Sequence, residues 1–313
     1  MPAGGGHTVL VLMLLDTPSL YFRAFFGIPE SIKAPDGSPV NAVRGLIDMI
    51  ATLVRQHSPA ELAATMDADW RPAFRVAAIP TYKAHRVAGT GRGGDQEEVP
   101  ETLVPQIAVI NEVLDALGVA RLESPGYEAD DVIGTLTHQA SGAVDIVTGD
   151  RDLFQLVDDS RPVRVLYTAR GVRNLQIVDE AFVTAKYGIP GRSYADFATL
   201  RGDPSDGLPG VAGVGEKTAA ALITRFGSLA ALLEALDAGV TDGFPAGSRT
   251  KLSAARDYLN AAPAVVKVAP DAPLPGADLT LPAKPRDPEA LVALADRYGL
   301  DSPLNRLLDV LGR

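Results

Sequence analysis

Acidic side chains stand at or just beyond the ends of three short apolar runs in the sequence. These acids are Asp16, Asp67 and Asp150. If the runs are parallel strands, the three carboxylates lie at one edge of a sheet, where open α/β sheets place their ligand crevice. One such acid alone is more typical of a helix cap or a turn. Three at equivalent positions favour a shared site.

A second group of acids opens a predicted helix at residues 126–131. Glu128, Asp130 and Asp131 lie within one turn, where the helix dipole and unpaired N–H groups favour negative charge. Capping accounts for one or two of these acids and leaves a third unexplained. Glu128 and Asp131 share a helix face because they are three residues apart, whereas Asp130 projects elsewhere, toward a second ion or a water molecule.

Two further acidic pairs complete the pattern. Asp150 and Asp152 are two residues apart at a strand end, and Asp203 and Asp206 are three apart in a turn rich in proline and glycine. Hard cations such as Mg²⁺ and Mn²⁺ take oxygen ligands, and the chain has no cysteine to offer instead. Two such ions about 4 Å apart can generate a hydroxide nucleophile and stabilise a leaving oxygen. The acids therefore predict a metal-dependent phosphoryl-transfer site.

A basic segment lies between two of the acidic groups. It runs Tyr82-Lys83-Ala84-His85-Arg86, inside a stretch where basic residues such as Arg75 alternate with aromatic ones. By itself it is typical of a solvated surface run. Its position next to the proposed metals makes it a candidate for clamping a phosphodiester and stacking bases.

A glycine-rich segment at residues 210–222 is the most specific signal without acids. Gly213 and Gly215 allow a tight turn that presents backbone N–H groups to a phosphate, and Lys217 and Thr218 open the helix that follows. A generic Gly-x-Gly would be an ordinary capping turn. The full string Gly-Val-Gly-x-Lys-Thr-Ala resembles the hairpin of helix-hairpin-helix motifs, which grip the duplex backbone without reading sequence.

The elements that must position these residues alternate between strand and helix. Apolar runs predict strands at residues 9–15, 62–66, 144–148 and just before Pro125, and a β-hairpin at 162–167 and 172–178. Helices are predicted at 19–26, 42–57, 102–117 and from about 128, with short helices beyond 181. The alternation predicts an α/β fold with a mostly parallel central sheet flanked by helices. We expect a nuclease core at 9–190, interrupted by an insertion at about 71–105, and a helical DNA-binding region at 191–313.

Composition excludes some classes of protein and leaves others open. Hydrophobic residues make up 46% of the 313 residues, as in an ordinary globular protein. The run at 9–15 is too short to span a membrane and lacks the basic start of a signal peptide, so we expect a cytoplasmic protein. The net charge of −10 argues against a nucleic-acid partner only if the acids are spread evenly. Acids gathered around metal ions, with cations on flanking elements, remove that objection.

Taken in order, these motifs resemble the 5′ nuclease family, which includes the 5′ nuclease domain of bacterial DNA polymerase I, phage 5′ nucleases and flap endonucleases. The resemblance spans about residues 10–230. It rests on Leu15-Asp16 with Arg23-Ala24-Phe25, Asp67-Ala68 with Phe74-Arg75, Tyr82-Lys83-Ala84 with Arg86, Gly126 to Asp131, Thr148-Gly149-Asp150 with Asp152, and Gly202-Asp203 with Asp206. Thr17-Pro18, Asp69-Trp70 and His85 depart from the family pattern without removing a proposed ligand.

The resemblance implies a role for each candidate residue. A PIN-like core would hold two, or three, Mg²⁺ or Mn²⁺ ions. The first site would use Asp16, Asp67, Glu128, Asp130 and Asp131, and the second Asp150, Asp152, Asp203 and Asp206. Lys83 and Arg86, with Arg23, would act on the scissile phosphate from a helical arch through which a 5′ single strand passes. Arg75, Tyr82, Gly213, Gly215, Lys217 and Thr218 would contact DNA, with K⁺ a further ligand of the hairpin in this family.

We therefore expect a structure-specific 5′ nuclease, with 5′ to 3′ exonuclease and 5′-flap endonuclease activity that leaves 5′-phosphate and 3′-hydroxyl ends in replication or repair. Its partner would be DNA with junctions between a 5′ single strand and duplex. We expect it to act as a monomer near the nucleoid and, because the chain ends where a polymerase would continue, as a stand-alone enzyme. Two alternatives stay open: removal of RNA from RNA–DNA hybrids, and DNA binding without catalysis.

Overall fold

The computed structural model describes residues 10–91 and 94–312. Its strands are β1 Val11–Asp16, β2 Glu61–Thr65, β3 Val87–Gly91, β4 Gly94–Glu97, β5 Ala120–Leu122, β6 Ala143–Thr148, β7 Val163–Tyr167 and β8 Gln176–Val178. Six of them form one sheet in the order β5-β2-β1-β6-β7-β8. The predicted strands at 9–15, 62–66 and 144–148 are thus present, although residue 9 lies outside the described residues.

Parallel pairing brings the acid-bearing strand ends to one edge. β1 pairs in parallel with both β2 and β6, so that Asp16 lies opposite Thr65 and Leu15 opposite Val147. β8 runs antiparallel to β7, which confirms the predicted hairpin. Its second strand is shorter than predicted because residues 172–174 form a 3₁₀ turn.

The α-helices cover both faces of the sheet. They are α1 Thr17–Gly27, α2 Asn41–His57, α3 Ala73–Ala78, α4 Val104–Leu117, α5 Ala129–Gln139, α6 Glu180–Tyr187, α7 Tyr194–Arg201, α8 Glu216–Phe226, α9 Leu229–Asp237, α10 Ser248–Ala254, α11 Arg256–Ala261, α12 Pro263–Val266, α13 Pro288–Tyr298 and α14 Asp301–Leu311. Along β1, successive side chains point to opposite faces. Leu12 and Leu14 pack in a core with α5 to α9, whereas Met13 and Leu15 pack in a second core with α2, α4, α13 and α14. The predicted α/β architecture is confirmed.

The insertion at 71–105 is helical only in part. It contains α3, a 3₁₀ turn at Ala84–Arg86 and an antiparallel ribbon of β3 and β4. The prediction of a helical arch is therefore wrong for residues 87–91 and 94–97, which form the ribbon. Glycine is unfavourable inside a helix by about 1 kcal/mol, and this segment is rich in glycine.

Across residues 10–91 and 94–312, no single helix is long and apolar enough to cross a membrane, although α8 and α9 pass the same test together as a pair bent by 80°.

Candidate active site

Asp16 is fixed at the end of β1 by hydrogen bonds from two directions. One carboxylate oxygen accepts from the hydroxyl of Thr148 at 2.5 Å, and the other accepts from the backbone N–H of Ser19 at 3.2 Å. The second bond caps α1, and Pro18 is accommodated because the first turn of a helix needs no N–H there. The hydroxyl of Ser19 in turn accepts from the N–H of Gly149 at 2.9 Å. Asp16 is thus a helix cap, and it also faces a cleft.

The start of α5 brings a second strand end to the same place. Asp67, just beyond β2, accepts a hydrogen bond from the N–H of Ala129 at 2.7 Å. Glu128 is the N-cap of α5 and is buried, and its own N–H donates to Asp131 at 3.1 Å. These bonds set Asp67, Glu128 and Asp130 on the same side of the sheet edge.

The acids surround a cleft of about 660 Å³, which we call the acidic cleft. Six predicted acids line it: Asp16, Asp67, Glu128, Asp130, Asp150 and Asp203. Two others stand beside it. The N–H of Asp152 donates to Asp150 at 2.8 Å, and Asp206 pairs with Arg86, which also lines the cleft.

Burial and mutual repulsion raise the pKa values of these acids. Burial raises the pKa of Asp16 to about 7, against the lowering effect of its bonds from Thr148 and Ser19. Burial, then the charges of Asp16 and Asp150, hold the pKa of Asp130 well above its ordinary value. Burial and the charge of Asp150 do the same for Asp152. The donor set consists of carboxylate oxygens, which fit divalent cations that take oxygen ligands.

The carboxylates stand apart rather than in ligand shells. Within the described ranges, no three acids or histidines meet in a group that could hold a metal ion. Lys83 stands among them with its ammonium on Glu128. The assignment of nine acids to two metal sites therefore stays a prediction.

Lys83 and Arg86 reach the cleft from the base of the insertion. Lys83 has a left-handed backbone, with φ at 48°, and its N–H donates to the carbonyl of Asp206 at 2.9 Å. Arg86 donates to the carbonyl of Ser205 at 2.7 Å and to the carboxylate of Asp206 at 3.0 Å. Both predicted phosphate-binding residues therefore border the acids, and both are docked on the 203–208 loop.

Three predicted assignments need correction. Asp131 does not line the cleft: it is fully buried, and both of its oxygens accept from Arg75 at 2.7 Å. One of them also accepts from the N–H of Ala269 at 2.8 Å. Arg75 and Tyr82 are 2% and 3% exposed, and both donate to Glu128. Glu128 still lines the cleft, whereas Asp131, Arg75 and Tyr82 do not, so none of these three faces a metal ion or DNA in this structure.

Arg23 lies on α1, one turn beyond Ser19, and is half-buried. It is absent from the residues that line the acidic cleft in the described part of the chain. Its predicted catalytic role has no support from its position.

The hairpin segment joins α7 to α8. Gly213 has a positive φ of 73°, Gly215 caps α8, and Lys217 is exposed in its first turn, with Thr218 half-buried beside it. The carbonyl of Gly213 accepts a hydrogen bond from the ammonium of Lys251 on α10 at 2.9 Å. This carbonyl therefore does not fit the predicted K⁺, because a cationic side chain already holds it.

Several residues of the cleft were not predicted from the sequence. Thr148 and Ser19 orient Asp16, and Glu97, Arg151 and Arg201 line the walls. Thr148 and Arg201 are close in sequence to predicted acids, and that proximity was the available signal. Glu97 gave no signal, since only the fold of the ribbon brings it to the acids.

The sheet edge, its acids and the two cations docked beside them define an α/β enzyme of the class that hydrolyses phosphodiesters. Comparison with known families shows to which family of such enzymes the chain belongs. Residues 11–188 match the 5′-3′ exonuclease N-terminal resolvase-like domain, and residues 189–289 match the 5′-3′ exonuclease C-terminal SAM fold. The chain belongs to the 5′-3′ exonuclease family and is a nuclease, which confirms the resemblance seen in its motifs.

Two relatives are similar in sequence to most of this chain. A 5′-3′ exonuclease of Streptomyces coelicolor is 61% identical over 300 residues, which are 96% of this chain and 99% of that protein. DNA polymerase I of Mycobacterium bovis is 46% identical over 231 residues, which are 72% of this chain and 24% of the polymerase.

A solved structure supports the fold at lower identity. The T5 D15 protein, co-crystallised with metal ions, superposes with a TM-score of 0.62 at 18% identity, over 96% of this chain and 99% of that one.

Proposed function

We propose that the protein cuts DNA at 5′ ends and at 5′ flaps beside duplex, leaving 5′-phosphate and 3′-hydroxyl ends. The observation that carries the proposal is the acidic cleft itself, with Lys83 and Arg86 docked beside its acids and the hairpin on the adjoining loop. The names of the relatives support a 5′ to 3′ direction. Among solved neighbours, the catalytic core of Rad2 is in complex with a DNA substrate, which supports DNA as the partner.

Two divalent cations, Mg²⁺ or Mn²⁺, are the cofactors that fit the donor set. Asp16, Asp67, Glu128 and Asp130 would hold one ion, and Asp150, Asp152, Asp203 and Asp206 the other. The metal ions present in the T5 D15 crystals support this part of the proposal. When bound, such ions act as Lewis acids and lower the pKa of water.

The chain's own cations supply charge at the reacting phosphate. Burial alone would lower the pKa of Lys83, but Glu128 and its other acidic neighbours raise it well above the ordinary value. Lys83 is therefore fully protonated at neutral pH. Placed beside the scissile phosphate with Arg86, it offsets the negative charge that grows in the transition state.

The division of labour follows the two parts of the chain. We propose that residues up to about 190 cut and that the helical remainder grips duplex through the exposed turn at Gly213 to Lys217. Backbone N–H groups and Lys217 suit phosphates of any sequence. We further propose that the protein acts as a monomer, near the nucleoid in the cytoplasm, on DNA with junctions between a 5′ single strand and duplex.

The test is digestion of a 5′-flap substrate with product mapping in Mg²⁺ and in Mn²⁺, using matched flaps with DNA and RNA 5′ ends. Asp150→Asn and Asp152→Asn should abolish cleavage while flap binding survives, because each removes a proposed metal ligand and leaves the hairpin intact. Asp278→Asn, an exposed acid remote in sequence from both groups, is the control and should cut normally. Turnover near that of wild type in both cleft variants would contradict the proposal.

A further inference from the structure

Arg201 stands between the acids of the cleft and the hairpin. It is the last residue of α7, it lines the cleft, and 15% of its side chain is exposed. On one side its guanidinium lies 3.7 Å from the carboxylate of Asp203, and on the other it lies 3.7 Å from Glu216 in the first turn of α8. It therefore connects a proposed metal ligand with the helix that carries the hairpin lysine.

The guanidinium is held through Nε and by aromatic neighbours, among them Tyr194. Its Nε donates to the carbonyl of Gly202 at 3.1 Å, and its central carbon lies 5.3 Å from the centroid of the Phe197 ring. The two terminal nitrogens are those that face the carboxylates. At 3.7 Å these contacts are attractive but too long for hydrogen bonds, so the fork is aligned without being engaged by either acid.

Two of the other cations that line the cleft are more tightly bound to protein. Lys83 is bonded to Glu128, and Arg86 is bonded to Ser205 and Asp206. A planar guanidinium with two terminal N–H groups matches two oxygens of a phosphate diester. The loose contacts of Arg201 would be exchanged for such a pair at little loss.

We propose that Arg201 binds the DNA backbone phosphate that lies between the cut bond and the duplex held by the hairpin, so that it sets the register of cleavage. This inference rests on the proposed function and deepens it. It adds a phosphate contact from the end of α7, beside the 203–208 loop.

The test is flap binding by fluorescence anisotropy with Ca²⁺ in place of Mg²⁺, measured as a function of salt for Arg201→Met and Arg201→Gln. Each phosphate contact contributes about 0.9 to the slope of log K against log salt. We expect both variants to lose about that slope and to bind roughly three- to tenfold more weakly. In Mg²⁺, KM should rise by a similar factor with little change in kcat, and the cut position should spread over neighbouring bonds.

Arg192→Met is the matched control, because it removes the same charge from an exposed position in a separate cavity. It should keep the slope and the cut position of the wild type. Melting curves identify any variant that fails to fold. If Arg201→Met fails to fold, Arg201→Gln provides the test.

Two results would overturn the assignment of Arg201. One is equal slopes for the Arg201 variants and Arg192→Met. The other is a shift in the metal concentration needed for cleavage with binding and slope unchanged, since Arg201 would then act only on Asp203. A wild-type protein that neither binds nor cuts flaps would instead contradict the proposed function, and this inference with it.

Discussion

At the scale of single residues, hydrogen-bond partners separate the acids into two kinds. Asp131 is fully buried and closed by Arg75 and two backbone N–H groups. Burial, and then the charges of neighbouring carboxylates, raise the pKa values of Asp130 and Asp152. The first kind holds the protein together, and the second kind is poised to take up positive charge from outside.

The structural role of Arg75 predicts a large loss of stability on its removal. Arg75→Met should lower the free energy of unfolding by about 3–5 kcal/mol, because Asp131 and Glu128 would be left buried without their cation. Denaturant unfolding at neutral pH measures this. Arg121→Met, which breaks the exposed pair with Asp115, should change stability by under about 1 kcal/mol. Equal effects in the two variants would show that Arg75 is not a structural centre.

Asp16 predicts a pH dependence of stability in metal-free protein. Its folded-state pKa of about 7 lies above the ordinary value of 3.8, so the folded protein binds this proton more tightly than the unfolded chain. The contribution of Asp16 to the stability of the folded protein should therefore be largest below about pH 4. It should fall as pH rises from about 4 to 7.

Thermal melts in EDTA at several pH values on either side of this pKa test the sign. Asp16→Asn should flatten part of the fall and raise the melting temperature at the alkaline end. Asp296→Asn, an exposed acid on α13, should leave the wild-type profile in place. A wild-type melting temperature that rises with pH over this range, together with an Asp16→Asn profile identical to that of Asp296→Asn, would contradict the assignment.

At the scale of elements, the insertion is docked on the 203–208 loop by hydrogen bonds to backbone carbonyls of that loop. Thr81 donates its hydroxyl to the carbonyl of Gly207 at 3.0 Å, and Lys83 donates its N–H to Asp206 at 2.9 Å. Gly207 has a φ of 72°, and a Cβ there would lie 2.2 Å from the carbonyl oxygen of Thr81. The position of Lys83 therefore depends on a glycine far away in sequence.

Gly207→Ala should separate the insertion from the loop and slow cleavage. We expect kcat to fall by at least about tenfold, because small displacements of groups that act on the reacting phosphate have large effects on rate. Duplex binding through the hairpin should persist. Gly188→Ala is a close control, since its φ is 73° and a Cβ there would meet nothing within 4 Å. If the two variants have equal kcat values, the lost contact between the insertion and the 203–208 loop does not explain the fall in kcat. Backbone strain alone would then explain it.

At the scale of the whole molecule, part of the net charge of −10 comes from the acids that line the acidic cleft. The sheet gathers acids from β1, β2, β6, α5 and the 203–208 loop at one edge. Folding gathers these carboxylates around one cleft, so a ligand that binds them there stabilises the folded state by mass action.

Millimolar Mg²⁺ or Mn²⁺ should therefore raise the melting temperature at mildly alkaline pH, on the order of 5 °C when the ion is near 100 times its Kd. NaCl at equal ionic strength is the control and should have a much smaller effect. The double variant Asp130→Asn with Asp150→Asn should lose most of the rise. An unchanged wild-type melting temperature, together with no metal binding by calorimetry, would remove the basis for metal ions in this cleft.

The amino-acid sequence by itself determined the alternating elements, the parallel sheet and the acids at its edge, because periodicity and capping are local properties. Asp16, Asp67 and Asp150 could be placed together from the sequence alone, since parallel strands end at one edge. The family of the protein could be recognised from short motifs and their order along the chain. The tertiary structure decided which members of each motif face the cleft.

Asp131 and Arg75 carried the same local signals as their neighbours, yet they pair inward, because α12 and the segment after it close over them. Arg201 had only its proximity to Asp203 as a signal, and it became part of the site when α7 and α8 packed around the hairpin. Local spacing fixes which way a helix or strand presents a side chain. Contacts between distant segments determine whether that side chain is buried with a partner or left free to bind a ligand.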